Sequence, residues 1–469
     1  MNDISNLPKG SEIHLVGIGG AGMRGLALLY WGKGFKVTGS DTDYDRPEIY
    51  DLVKKGMEVG KGNNPQHLKN PCMVVYSTAI RQNNPELEEA RRRGIPVLHR
   101  ADAFKLLTKE KTVIGVAGTH GKTTSTAMAT HICMKLGQNP TYYFGSPYLA
   151  NKDQAEWTDG KAFIIETDEH DHSFLHFDVD IAIVGNIDND HMENFNFDIK
   201  NLVADMEKYA QQSLDRGGWQ ILNTDDKNVL SINLTHFKNV ITFGRSDQAH
   251  LRAGQTRFYR ENYNLCSETE VFWKGESVGM MKLQVPGAHN VMNALAAVAA
   301  LVKVGIEPKD ALPMLADFPG TQRRIELMGV SNGHPLYDDY SHHPTAMIRG
   351  LETLRAYYPE NPICLVLQPM RYSRVFYLPK EYGVAVRYAN RVIITEINPS
   401  GEDNLWNSDI NVLTKQIKDA NPDMDIVLVP KIVDVPAQVK SGLKKDEIIY
   451  FSGPTTVRAL SKPILDLLA

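Results

Sequence analysis

The chain has 469 residues, room for roughly three domains that each bury a core. Its formal net charge of -5 is mixed along the sequence and its pI is ≈ 6.3, which excludes a basic nucleic-acid footprint and a polybasic membrane patch. There is no run of about 18 apolar residues, Met1 to Gly10 is too polar for a signal peptide, and Cys72, Cys133, Cys266 and Cys364 lack C-x-x-C spacing; a cytoplasmic protein with reduced thiols is expected.

The first readable element is a short apolar strand from Ile13, followed by Gly17-Ile-Gly19-Gly20-Ala-Gly22 and a helix over Leu26 to Tyr30. A second strand, Val37 to Asp41, ends in Ser40 and an acidic residue about nineteen positions after the last glycine. This is the fingerprint of a turn that brings backbone N-H groups close to a pyrophosphate. Alone it suggests a nicotinamide oxidoreductase, but the same mechanics suit any nucleotide diphosphate, including a UDP-sugar. A third strand at Met73 to Tyr76 with Ser77 at its end, a helix over Pro85 to Arg93 and a strand at Ile95 to Leu98 continue the alternation. Leu106 to Lys111 reads as a charged connection, so the first domain is placed at residues 1–107.

A central domain over residues 108–317 opens with a strand through Val113, Ile114 and Val116. It turns through Gly118-Thr119-His120-Gly121 into a helix that starts with Lys122, Thr123 and Thr124. Strand, glycine turn and helix start bearing Lys then Thr hold a nucleotide's phosphates: N-H groups and the helix terminus favour the anion, Lys meets the outer phosphates, and a Thr hydroxyl reaches Mg²⁺. Buried strands at Ala162 to Glu166 and Asp180 to Asn186 end in Glu166 and, after a short loop, His191, at the sheet edge a phosphate loop occupies; both are candidates to hold the metal. Val240 to Val285 reads as antiparallel hairpins, and an alanine-rich helix is expected over Val291 to Val304. From spacing alone, Asn290 reads as that helix's cap more readily than as a base-reading amide with Asn293.

The Pro/Gly segment Phe318 to Arg324 is the expected boundary to a third domain, residues 318–469. Strands at Ile363 to Leu367, Arg391 to Thr395, Val427 to Val429 and Glu447 to Phe451 alternate with helical patterns. The turns carry Asp338-Asp339-Tyr-Ser-His342-His343 and Gln368-Pro-Met370-Arg371-Tyr-Ser-Arg374. The first of these looks like a metal cluster on a quick look and equally like a helix cap. The fold class is therefore α/β in three parts: an N-terminal Rossmann-like domain, a central P-loop ATPase-like domain with a mostly parallel sheet and a small antiparallel part, and a C-terminal Rossmann-like domain.

Taken in order, the glycine fingerprint, the G-x-x-G-K-T loop, His289-Asn290-x-x-Asn293, the Arg323-Arg324 hinge and D-D-Y-x-H-H-P resemble the Mur ligases, over nearly the whole chain. The resemblance implies an ATP- and Mg²⁺-dependent ligase of peptidoglycan precursor synthesis, joining the carboxylate of UDP-N-acetylmuramate to the amine of L-alanine through an acyl-phosphate. The alternatives are another amino acid or a recycled murein tripeptide as the amine, and, less in keeping with the motifs, an NAD-dependent oxidoreductase or a non-catalytic nucleotide sensor. By the family pattern, Glu166 and His191 hold metal with Thr123, and His289, Asn290 and Asn293 contact the adenine nucleotide. Arg324 and Asp339 reach ATP from a third domain that must close. His342, Arg371 and Arg374 face the amino acid, where an Arg fork suits a carboxylate. Met370, Ser452 to Thr455 and His170 depart from the residues usual in the family. A monomer or weak homodimer is expected.

Overall fold

A computed structural model of the chain describes residues 7–145, 153–169, 172–189, 192–233 and 238–469. Three sheets organise it. The first is parallel throughout, built from β1 (Glu12–Val16), β2 (Lys36–Asp41), β3 (Glu58–Lys61), β4 (Met73–Tyr76) and β5 (Val97–His99) in the order β3-β2-β1-β4-β5. Ile13, Leu15 and Val16 are fully buried because helices cover both faces of a parallel sheet. The strand order reverses between β1 and β4, so the glycine turn after β1 and Ser77 after β4 meet at the switch point where such sheets bind ligands.

The second sheet contains β6 (Thr112–Ala117), β7 (Thr141–Tyr143), β8 (Ala155–Glu156), β9 (Ala162–Glu166), β10 (Ile181–Val184), β11 (Trp219–Asn223), β12 (Val240–Gly244), β13 (Leu251–Glu261), β14 (Asn264–Trp273) and β15 (Glu276–Leu283). Its order is β15-β14-β13-β12-β11-β10-β6-β9-β7-β8, with β6 paired in parallel to β9 on one side and β10 on the other. The carboxyl ends of β9 and β10 therefore flank the turn that follows β6.

The third sheet runs β16 (Glu326–Ser331), β17 (His334–Asp339), β21 (Ile448–Ser452), β18 (Ile363–Leu367), β19 (Arg391–Thr395) and β20 (Asp425–Val429), parallel except for the β16–β17 hairpin. The first sheet, and the second except for the β13–β14 tip, belong to one compact unit, Met1–Thr256, Glu268–Leu283 and His289–Pro319; the second unit is Arg257–Ser267, Gln284–Ala288 and Gly320–Ala469. In the second unit Tyr337 and Tyr358 share a buried hydroxyl pair, and Tyr337 also donates to the Tyr263 carbonyl at 2.7 Å, which fixes the β13–β14 tip there.

Several sequence expectations change. The segment between β2 and β4 holds a helix, Pro47–Lys54, and β3, which the reading passed over. Leu106 and Leu107 are buried in the helix Arg100–Thr108 rather than lying in a charged connection, because their side chains complete the first core. Val240 to Gly244 is a parallel strand on β11, so only β13 to β15, joined by two-residue turns, are hairpins. The alanine-rich helix starts at Ala288, which puts Asn290 inside it rather than at its cap.

Candidate functional site

The turn after β6 is held open by its neighbours. Gly121 has φ 82, and a Cβ there would lie 2.2 Å from the Asn293 amide oxygen, so only glycine fits. Asn293 in turn donates to the Asn290 side chain at 2.9 Å, which makes this amide pair a wall of the loop. Asn186, at the end of β10, braces the turn from the other side: its amide oxygen accepts from His120 N at 2.8 Å and its amide nitrogen donates to the His120 carbonyl at 2.8 Å. The Thr119 hydroxyl accepts from Asp188 N at 2.9 Å. The helix Lys122–Lys135 then begins with Thr123 and Thr124 nearly buried, its first amides aimed into the turn.

At this edge one cation, Lys122, faces three acids, Glu166, Asp168 and Glu169. Lys122 Nζ donates to Glu169 at 2.8 Å and to the Gly118 carbonyl at 2.9 Å, with Asp168 at 3.6 Å. Burial opposes its charge, yet Glu169, Asp168 and Glu166 outweigh burial and hold the ammonium above its ordinary pKa. Burial pushes the Glu166 and Glu169 carboxyls up, against the pull of Lys122. Glu166 accepts from the Thr123 hydroxyl at 2.9 Å and from Gly145 N, so a hydroxyl and a carboxylate oxygen converge on one point. That donor set, all oxygen and one net negative charge, is what a hard divalent cation takes. His191 and His170 lie outside the described residues, and among the described residues no cluster of three or more His, Cys, Asp or Glu forms a metal cage.

The turn after β1 uses a different complement. Gly17 N and Ile18 N donate to the Ser40 carbonyl at 2.8 and 3.0 Å, and Gly19 N donates to Asp41 at 2.8 Å. A Cβ on Gly19 would lie 2.6 Å from Arg46 Nη2, so the guanidinium rests directly on the turn, 3.3 Å from the Asp41 carboxylate. Asp41 therefore ties the loop down. Ser40 is also structural: its hydroxyl is fully buried and donates to Glu86, a carboxylate shared with His67 at 2.8 Å. Gly20 N donates to the Gly17 carbonyl at 3.1 Å within this turn, Gly22 lies in the first turn of the helix Ala21–Gly32, and Ser77 follows β4. Arg46 and Glu86 were not singled out from the sequence; Arg46 could have been found as the cation five residues past the acidic strand end.

In the second unit the stretch before β16 is strained: Arg323 has φ 62 and Ile325 φ 50, the latter rare for a β-branched residue. Two acids hold it there. Asp338, fully buried, pairs with Arg323 at 3.0 Å and Arg458 at 2.7 Å, and Asp339 accepts from Ile325 N at 3.1 Å and Ser341 N at 2.7 Å. Burial raises the Asp339 carboxyl to about 6 against the attraction of the exposed Arg324. His343 caps the helix Pro344–Tyr357, its Nδ1 accepting from Thr345 N at 3.3 Å. His342 Nδ1 donates to the Tyr340 carbonyl at 2.7 Å, leaving Nε2 as an acceptor, and burial, with Arg374, Arg324 and Arg371 nearby, pushes its pKa down to about 3. Arg371 sits at φ 69, with its Nε buried and unpartnered among the described residues. Met370 beside it is 6% exposed and receives the Tyr340 hydroxyl. Ser452 is buried and donates to the Ser341 carbonyl, whereas the Gly453 carbonyl and the exposed Thr455 hydroxyl accept from Arg323 at 2.7 and 3.2 Å.

Models described as the Mur ligase family catalytic domain, the Mur ligase middle domain and the Mur ligase glutamate ligase domain match residues 12–112, 116–301 and 323–454. The UDP-N-acetylmuramate--L-alanine ligase of Dictyoglomus turgidum is 35% identical over 459 residues, covering 97% of this chain and 96% of that protein. The enzyme of the same name from Aquifex aeolicus is 34% identical over 397 residues, 84% and 86% of the two chains. Among solved structures, a UDP-N-acetylmuramate-alanine ligase from Thermotoga maritima aligns with a TM-score of 0.79 at 25% identity, covering 97% of this chain and 98% of that one. A murein peptide ligase from Psychrobacter arcticus shares the fold with a TM-score of 0.65 at 22% identity, over 98% and 99% of the chains.

Proposed function

The chain belongs to the Mur ligase family, and from that premise we propose that it joins L-alanine to UDP-N-acetylmuramate with ATP, in the cytoplasmic synthesis of peptidoglycan precursor. It is an ATP-dependent acid–amino-acid ligase. The observation that carries the reading is the edge of β6 and β9, where Lys122, Thr123 and Glu166 converge below a glycine turn. An acyl-phosphate route requires a phosphoryl group to move to a carboxylate, and both groups are anionic. Charge neutralisation and positioning are then the whole of the protein's task.

In this reading Lys122 leaves Glu169 to meet the outer phosphates, and the backbone from Gly118 to Thr124 cradles them. Thr123 and Glu166, with His191 as a further ligand, would hold Mg²⁺, which would supply positive charge beside the transferring phosphoryl group. Asn290 and Asn293 line the nucleotide side, with His289 exposed at their helix start. The turn from Gly17 to Gly22, with Arg46, takes the diphosphate of the sugar nucleotide. In the second unit Arg371 and Arg374 take the amino acid carboxylate. The neutral His342 orients the amine by accepting from it, since a base with so low a pKa stores no proton at neutral pH. Asp339 holds the Arg323 to Ile325 bend that carries Arg324, the residue assigned to ATP.

The test is phosphate release by the purified protein with ATP, Mg²⁺ and UDP-N-acetylmuramate across a panel of amino acids and a murein tripeptide. L-alanine is expected to give the highest kcat/KM. Preference for the tripeptide would move the protein to the murein-recycling branch, and no amino-acid-dependent release would end the proposal.

A further inference from the structure

A second charged cavity lies away from both glycine turns. It measures about 500 Å³ and is lined by Lys9, Lys33, Lys111, Lys161, Trp157 and Asp159. These residues precede β1, β2, β6 and β9, so the cavity sits at the amino edge of the first two sheets, within the first unit. The turns after β1 and β6 leave the opposite edge, about one strand length or 16–20 Å away. The cavity is therefore no part of the site described above.

Its chemistry is cationic in a chain that is net acidic. Glu110 is engaged by Lys33. Among the described residues Lys9, Lys111 and Lys161 have no carboxylate within ion-pair distance. Lys111 Nζ instead donates to the Thr158 carbonyl at 2.9 Å and to the Gly160 carbonyl. Two of the four lysines are also ordered: Lys33 and Lys111 lie 4.2 and 4.6 Å from the centroid of the Trp157 ring. Trp157 is itself wedged against Gly32, where a Cβ would come within 3.0 Å of it, and meets Phe163 edge to face. Burial, then the neighbouring Lys33, pulls Lys111 below its ordinary pKa, against the opposing attraction of Asp159 and Glu110, so the cavity keeps four lysines against two acids. Pre-ordered ammonium groups around a cavity of ligand size are the makings of an anion site.

We propose that this cavity binds a small phosphate-bearing anion at the amino edge of the sheets, separately from ATP and the sugar nucleotide. The probe is inorganic pyrophosphate, titrated into the full-length protein while tryptophan fluorescence is followed. A saturable change is expected that is lost in Trp157→Phe and persists in Lys122→Ala. Its midpoint should rise about tenfold in Lys33→Met/Lys161→Met, the worth of a charge-assisted hydrogen bond. Glu110→Gln, which frees Lys33, should lower the midpoint, and it keeps the test decisive if the double variant fails to fold. The proposal is overturned by no saturable change, by a change that vanishes in Lys122→Ala, by an unaltered midpoint in the folded double variant, or by an unaltered midpoint in Glu110→Gln.

Discussion

The turn after β1 and the turn after β6 share a backbone device and differ in what surrounds it. Both follow a buried parallel strand at a point where the strand order reverses, and both open a helix. At the first, the Asp41 carboxylate is consumed in fixing Gly19, and Arg46, paired with Asp41 and Asp43, lies over the turn. At the second, Lys122 is part of the turn and the acids Glu166, Asp168 and Glu169 stand around it. A fixed diphosphate needs only N-H groups and one cation. A phosphoryl group in transfer needs a mobile cation and a metal, and the acids that keep both in place.

The comparison predicts unequal losses. Lys122→Ala is expected to lower kcat by at least about 10²–10³-fold, the scale of a lost transition-state charge partner, read by amino-acid-dependent phosphate release. Gly121→Ala, which forces a Cβ onto Asn293 at a positive φ, should come close to it while leaving sugar-nucleotide binding intact. Glu166→Gln should raise the Mg²⁺ needed for half-maximal rate about tenfold or more, as one carboxylate ligand is lost; an unchanged Mg²⁺ dependence would take that acid out of the metal site. Arg46→Ala should raise KM for UDP-N-acetylmuramate severalfold with KM for ATP unchanged. If both constants moved together, the two turns would not be serving separate nucleotides.

A further effect lies outside both turns and serves as their control. His342 has a native pKa of about 3 against an ordinary value near 6.5, so its neutral form contributes stability above pH about 6.5 that is lost as pH falls toward 3. The urea midpoint should fall between pH 7 and pH 4, less steeply in His342→Gln.

The turn after β6 was legible because an apolar strand, two glycines and Lys-Thr leave little else for the segment to be. Its supports were less so. Glu169 and Asn186 act through pairings across sequence gaps that no local pattern encodes. Asn290 read as a cap because Asn favours helix starts, but the helix begins two residues earlier and both amides turn inward to the loop. Strand β3 escaped notice because Glu58-Val-Gly-Lys61 is a short edge strand with no buried residue, and the helix end at Leu106 because alternating charges hid two fully packed leucines. In the third domain four of the six strands were read within a few residues, while the β16–β17 hairpin was passed over. The strained Arg323 to Ile325 bend was not, since its geometry comes from two buried acids on β17 rather than from its own residues.

The most direct measurement of the central claim is calorimetric titration of Lys122→Ala with UDP-N-acetylmuramate and, separately, with ATP and Mg²⁺. The account predicts a sugar-nucleotide Kd within about threefold of the unaltered protein and a clear loss of ATP affinity. Loss of sugar-nucleotide binding alongside ATP would contradict it.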